Sequence, residues 1–344
     1  MSSSYLLWLA TEGGSQWNND SALIKDIEQA EKNGAIGATT NPPLSHEAVV
    51  SEPDRYPTLP DKNLSDDEFA FQAMSMVVKR LSDHFLPLHR KRGPYFGCVR
   101  AQVAPNQSRD ANAMLESGKR LAALNPNVMV KIPGTKAGIW TLEELAALGI
   151  PTNPTVVTTV AQALAAAEAF ERGCARAKAA GIAPAWSNCA VVMGRAQDYF
   201  ASLDKERGLG LATGDLEWAA LAIVKRCEQL YRERGYRSRI MPAAFRCAMQ
   251  VEQLAGGDFY STIHPKVQRM VEEADAAGRL RRERLFDAPV DQKAVERVAA
   301  VLPEFVRSLD PDAITPDEFD DFGSVVMTLS GFDAGWRQYY SLKR

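Results

Sequence analysis

The stretch covering residues 127–155 limits this chain most. Val128, Met129, Val130 and Ile132 form a short apolar run, the pattern of a strand buried on both faces. Pro133 and Gly134 end it. Thr135 is placed to cap a following helix, in which Ile139, Leu142, Leu145 and Leu148 fall at helical spacing. Gly149 then leads into a second strand ending at Asn153 and Thr155. Strand, helix, strand is a crossover unit, and it calls for a parallel sheet. Lys131 lies inside the first strand of that unit. Burying an ammonium is costly, so this lysine is either paired or held neutral. A neutral amine attacks carbonyl carbon, and one reading of Lys131 is therefore imine chemistry. The other is a lysine whose stem lines the strand while its head pairs with a carboxylate at the rim.

The same alternation runs along the chain. Strands are expected at residues 5–9, 36–40, 95–103, 183–192, 239–241 and 258–262, besides the two around Lys131. Helices are expected from Leu23, Ile27 and Ala30, with Asp20 or Ser21 as cap, and over residues 66–89, 109–124, 158–180 and 214–234, with another between the last two strands. Residues 52–63 are rich in proline and charge and read as an exposed excursion. Eight strands alternating with helices predict a (β/α)8 barrel. Beyond Lys266 only helices are expected, over 266–277, 292–308 and 316–342; Trp336, Tyr339 and Tyr340 of the last one read first as surface packing or a subunit contact, and second as packing on the barrel. At 344 residues the chain fits one barrel domain over 1–344, of which about 267–344 is a helical extension.

Composition removes several function classes. A net charge of -3 offers no field for nucleic acid or membrane. No apolar run has the length of a membrane helix, and the amino-terminal segment lacks the pattern of a signal peptide. Five scattered cysteines and four scattered histidines suggest free thiols in a reducing cytoplasm, and neither a disulfide framework nor a metal site.

The segment around Lys131 resembles the Schiff-base strand of the transaldolases. Residues 150–155 are similar to the strand that follows it in that family. Gly37-Ala38-Thr39-Thr40-Asn41-Pro42-Pro43-Leu44, Met193-Gly194-Arg195 and Met241-Pro242-Ala243-Ala244-Phe245-Arg246 resemble three further motifs. The likeness spans about residues 6–265. It implies a class I enzyme of carbohydrate metabolism, such as the pentose phosphate pathway, acting on sugar phosphates without a cofactor. It leaves monomer and homodimer open.

In a barrel of this kind chemistry sits at the carboxyl ends of the strands. The resemblance assigns Lys131 to the imine, Asn41 and Asn153 to substrate hydroxyls, and Thr155 to a catalytic water. Arg195 and Arg246 resemble the family's phosphate clamp, and guanidinium forks suit phosphate oxygens. On residue type alone, the asparagines serve equally as backbone caps and the arginines as rim ion pairs.

Departures accompany the likeness. The family carries an aspartate near the end of strand one, and with residues 5–9 as that strand the matching residue is Ala10. Gln102 stands where strand three usually has a glutamate, and Ala190 and Ala244 stand where the phosphate region has serines. Glu12 shares side-chain parity with Ala10 and is the expected substitute carboxylate. Arg100 shares parity with Gln102 and is expected inside the barrel one step deeper. There it would pair with a buried carboxylate or lower the pKa of Lys131, unless a bulge turns it toward the helices. Three functions remain open. They are a transaldolase-like transfer of a dihydroxyacetone unit from a ketose phosphate to an aldehyde, an aldolase or transferase acting on another carbonyl substrate in a specialised pathway, and a barrel that binds sugar phosphates without turnover. With Ala10 at the acid-base position, weak transaldolase turnover is expected.

Overall fold

A computed structural model describes residues 3–343 of the chain. The elements run α1 (Tyr5–Thr11), β1 (Gln16–Asn19), α2 (Ile24–Lys32), β2 (Ala38–Thr39), α3 (Pro42–Ser51), α4 (Asp66–Arg92), β3 (Val99–Gln102), α5 (Ala111–Ala122), β4 (Val128–Pro133), α6 (Lys136–Ala147), β5 (Thr152–Thr155), α7 (Val160–Ala179), β6 (Asn188–Val192), α8 (Met193–Arg207), α9 (Thr213–Arg234), β7 (Arg239–Ala243), α10 (Ala248–Glu252), β8 (Tyr260–Ile263), α11 (Pro265–Ala276), α12 (Gln292–Val301), α13 (Pro303–Leu309) and α14 (Gly323–Lys343). Six strands form one parallel ladder in the order β5-β4-β3-β2-β1-β8, and β6 pairs in parallel with β7. Bridges Thr152↔Ser187 and Val157↔Val191 join β5 to β6, and β7 lies beside β8. The eight strands thus curl into a (β/α)8 barrel, as the alternation predicts. No helix among the described residues is long and apolar enough to cross a membrane.

The first strand is the main correction. Residues 5–9 form helix α1, not a strand. Ser4 caps it by accepting from Leu7 N at 3.2 Å. Its buried residues, Tyr5, Leu6, Trp8 and Leu9, are spaced as one helical face. Glu272 of α11 accepts from the amides of Tyr5 and Leu6. The true β1 is the polar stretch Gln16–Asn19, whose Asn18 points into the barrel and meets Arg100. A polar strand escapes an apolar-run criterion because the barrel floor it faces is itself polar.

Smaller differences follow from local chemistry. The expected cap Asp20 instead directly follows β1, while Ser21 Oγ accepts from Leu23 N just before α2. Pro42 and Pro43 stop β2 as expected but start α3, behind an Asn41 cap, because proline suits the first helical turn. Helix α8 was not foreseen. The expected helix over 292–308 breaks at Leu302–Pro303 into α12 and α13, because proline cannot continue a helix. The last segment divides into a short 3-10 turn, Pro316–Asp321, and α14.

Helix α14 crosses the carboxyl-end face of the barrel against α3, α4 and α8. Trp336 Nε1 and Tyr340 OH both donate to Asp67 Oδ1, at 2.8 and 2.6 Å. Gly335 permits the close approach, since a Cβ there would lie 2.3 Å from Pro43 Cγ.

Candidate active site at the barrel mouth

Lys131 is the register partner of Gln102 on β3 and of Asn153 on β5, so the three side chains face the same interior. It is 6% exposed, and its Nζ donates to Thr40 O at 3.1 Å. Burial pulls its amine from 10.5 down to about 8; Arg100 and Arg195 push the same way and Asp20 opposes them. An amine near 8 has a usable neutral fraction at physiological pH, which an ordinary lysine lacks.

The carboxylate near this amine is Asp20, which sequence reasoning missed. It follows β1 directly. Its Oδ1 accepts from Thr39 Oγ1 at 2.6 Å, and Thr39 in turn meets Thr262 Oγ1 at 2.5 Å. Asp20, Thr39 and Thr262 line one cavity with Asn41, Lys131, Asn153, Thr155 and Arg195. Asp20 therefore holds the place at the end of strand one that had been matched to Ala10. Loop length was the signal available in the sequence. Barrel strands reach their helices through a few residues, and a strand ending at Leu9 leaves too long a gap before Ile24.

Glu12 does not join this site. It caps the carboxyl end of α1, is exposed, and precedes β1, which puts it at the amino end of the barrel. Its carbonyl accepts from Arg284 Nη2 at 3.0 Å.

Asn41 Oδ1 is used as the α3 cap, accepting from Leu44 N at 3.0 Å. Asn153 Nδ2 donates to Asn188 O and Asn188 Oδ1, while its Oδ1 has no partner among the described residues. Thr155 Oγ1 and Gln102 Oε1 are likewise buried and unpartnered among the described residues. Such orphaned groups are costly unless water or a ligand meets them.

The two arginines differ. Arg195, in the first turn of α8, is half-buried and makes no hydrogen bond to a protein acceptor among the described residues. Its guanidinium sits 5.6 Å from the centre of the Phe332 ring of α14. Burial and the neighbouring Arg246 weaken its hold on its proton. Arg246 is tied to Asp198 by Nε and Nη2, at 2.9 and 2.5 Å, and gives Nη1 to Ala244 O. Gly194 makes this packing possible, since a Cβ there would fall 1.8 Å from Ala244 O. Ala244 itself has φ +60°, as Val156 has +57°, so non-glycine residues hold left-handed backbone at two strand ends of the mouth.

Arg100 is fully buried and points inward. Its Nη1 donates to Asn18 Oδ1 at 2.5 Å and to Cys98 O at 3.2 Å, and its Nε and Nη2 have no partner among the described residues. No carboxylate pairs with it among the described residues. It lies one step deeper than Gln102, opposite Met129, and its ring neighbour is Trp186 at 5.8 Å. Phe332, over the mouth, is a further lining residue that the sequence did not single out, as are Val192 and Thr262.

The profile of the Transaldolase/Fructose-6-phosphate aldolase family matches residues 18–315, beginning within β1 and leaving α1 outside. A transaldolase of Thiobacillus denitrificans is 27% identical over 327 residues, covering 86% of each chain. Transaldolase 1 of Streptomyces avermitilis is 26% identical over 348 residues, covering 90% of this chain and 91% of its own. A transaldolase of Neisseria gonorrhoeae is 34% identical over 172 residues, which are 48% of this chain and 49% of that protein. With most of its length inside the family profile, and with a lysine-bearing fourth strand in a (β/α)8 barrel, the chain belongs to the transaldolase/fructose-6-phosphate aldolase family.

Proposed function

We propose that the protein is a class I enzyme whose Lys131 forms a Schiff base with a ketose phosphate and transfers a dihydroxyacetone unit to an aldehyde. The observation that carries this reading is a buried amine with its pKa drawn down to about 8, sharing a cavity with the Asp20 carboxylate. Neutral Lys131 Nζ adds to the ketone carbon, and loss of water leaves the imine. Asp20 takes the proton from the hydroxyl beside the bond that breaks, so that the electrons of that bond flow into the imine. Thr39, donating to Asp20 Oδ1, fixes the orientation of the carboxylate. Asn41 and Asn153 hold hydroxyls of the bound ketose. The unpartnered Thr155 Oγ1 and Gln102 Oε1 hold the water that is lost and later returned. Arg195 takes the anionic end.

The expectation of weak turnover rested on Ala10 as the strand-one residue. Asp20 supplies the carboxylate, so that ground falls away. What remains distinctive is Gln102, which orients water without accepting its proton.

The test is reductive trapping. Incubation with fructose 6-phosphate and borohydride should add the mass of the reduced adduct at Lys131, and Lys131→Ala should abolish it. Adduct at another lysine, or none with fructose 6-phosphate or dihydroxyacetone, would sink the proposal.

A further inference from the structure

The cavity that holds Lys131 has two unlike halves. Around the amine it is polar, with Asp20, Thr39, Asn41, Asn153 and Thr155. The β6 and β7 side is formed by Ala190, Val192, Met241 and Ala243, which with Ala244 make a separate apolar cluster. None of those five side chains carries a hydroxyl or amide. The main-chain acceptor Ala244 O already accepts from Arg246 Nη1 at 2.9 Å. Beyond this wall stands Arg195, the guanidinium without a protein acceptor among the described residues, whereas Arg246 is engaged by both oxygens of Asp198.

Resting on the Schiff-base reading, we infer that the preferred acceptor is a short deoxy aldehyde: a carbonyl carbon, one or two methylene carbons without hydroxyls, and a single terminal anion. The carbonyl end meets the polar half beside Lys131 and Asp20. The methylene carbons lie against Ala190, Val192, Met241 and Ala243, and the anion takes the fork of Arg195. A hydroxyl on the middle carbons would lose its water partners and find none on this wall, which penalises it. A methylene group in the same place gains from leaving water. In the aldol step the enamine carbon of the Lys131-bound donor bonds to the aldehyde carbon. The carbonyl electron pair moves onto oxygen, which takes a proton from Asp20, and water then hydrolyses the imine to free the amine.

The decisive comparison is a pair that differs by one hydroxyl: 3-phosphooxypropanal and glyceraldehyde 3-phosphate, each as acceptor with dihydroxyacetone as donor, so that both additions give a net product. The deoxy aldehyde should have a kcat/KM about tenfold or more above the other, the size of an unpaired buried hydroxyl. Succinic semialdehyde, with a carboxylate at the far end, distinguishes which anion Arg195 holds. Ala190→Ser, which puts a hydroxyl on the wall, should shrink the ratio at least threefold, while borohydride trapping at Lys131 persists. Calorimetric binding of 1,3-propanediol phosphate against glycerol 3-phosphate measures the same preference without turnover, and the first should bind about tenfold more tightly. Equal or reversed preference in either pair, or binding of neither phosphate, overturns the inference. Failure of trapping at Lys131 overturns the Schiff-base reading instead, and the binding pair still decides the character of the wall.

Discussion

Replacing Lys131 with Met should stabilise the fold near neutral pH, and the gain should fade as the pH rises. Lys131 is 6% exposed, and burial is the main reason its amine moves from 10.5 to about 8. In the unfolded chain the amine keeps its proton up to the ordinary lysine range. In the folded chain it gives it up near 8. Between these values the unfolded state binds more protons, so the stability of the wild type rises with pH across that window. Below pH 8 the lysine destabilises the fold by its full amount, about 3 kcal/mol for this displacement. About 2 kcal/mol remains at pH 9 and about 1 kcal/mol at pH 10. Methionine matches the lysine stem and removes the charge. It also removes the bond from Nζ to Thr40 O, worth about 1 kcal/mol at any of these pH values. The variant should therefore be more stable than wild type by about 2 kcal/mol at pH 7, with about 1 kcal/mol of that advantage lost by pH 9. Urea unfolding of both proteins at pH 7, 8, 9 and 10, with slopes compared, measures the difference. A variant less stable at pH 7, or an advantage that does not change with pH, would refute the reasoning. It would mean that the folded protein keeps Lys131 charged and paired with Asp20.

Three other outcomes follow. Asp20→Asn should lower turnover by about 10²–10⁴-fold while imine trapping at Lys131 survives, and Glu12→Gln should alter neither; parallel loss of trapping in Asp20→Asn would make Asp20 structural. Arg100→Met removes a cation that holds the Lys131 amine down, so the pH midpoint of trapping should move upward; a fixed midpoint would leave Arg100 no part in tuning the amine. Gly335→Ala would force a Cβ against Pro43, and should lift α14 and cost about 1–3 kcal/mol in thermal or urea unfolding, whereas wild-type stability would show that α14 yields freely.

Much of this protein is legible in its residues taken in order. The apolar run around Lys131, the cap at Thr135 and the alternation of strand and helix follow from local rules of burial and hydrogen bonding, and they set the barrel. They also place Lys131, Asn153, Thr155, Asn41 and Arg195 at strand ends, where the folded chain gathers them around one cavity. What local pattern could not settle was the first strand. Tyr5 to Leu9 has spacing that suits a short strand and a helical face equally, and the real strand, Gln16–Asn19, is polar. Only the barrel's own interior explains it, because Asn18 is buried by meeting Arg100 across the floor, a contact between residues 82 positions apart. The carboxylate at the cavity is therefore Asp20, while Glu12 stands exposed at the end of α1. The tertiary structure alone also decided that Arg246 is spent on Asp198 while Arg195 is left free of protein acceptors among the described residues, and that Phe332 of the last helix roofs the site. Sequence fixes which groups a chain carries and how each segment prefers to coil. Which charges end up paired depends on distances between segments far apart in the chain, and those are set by packing.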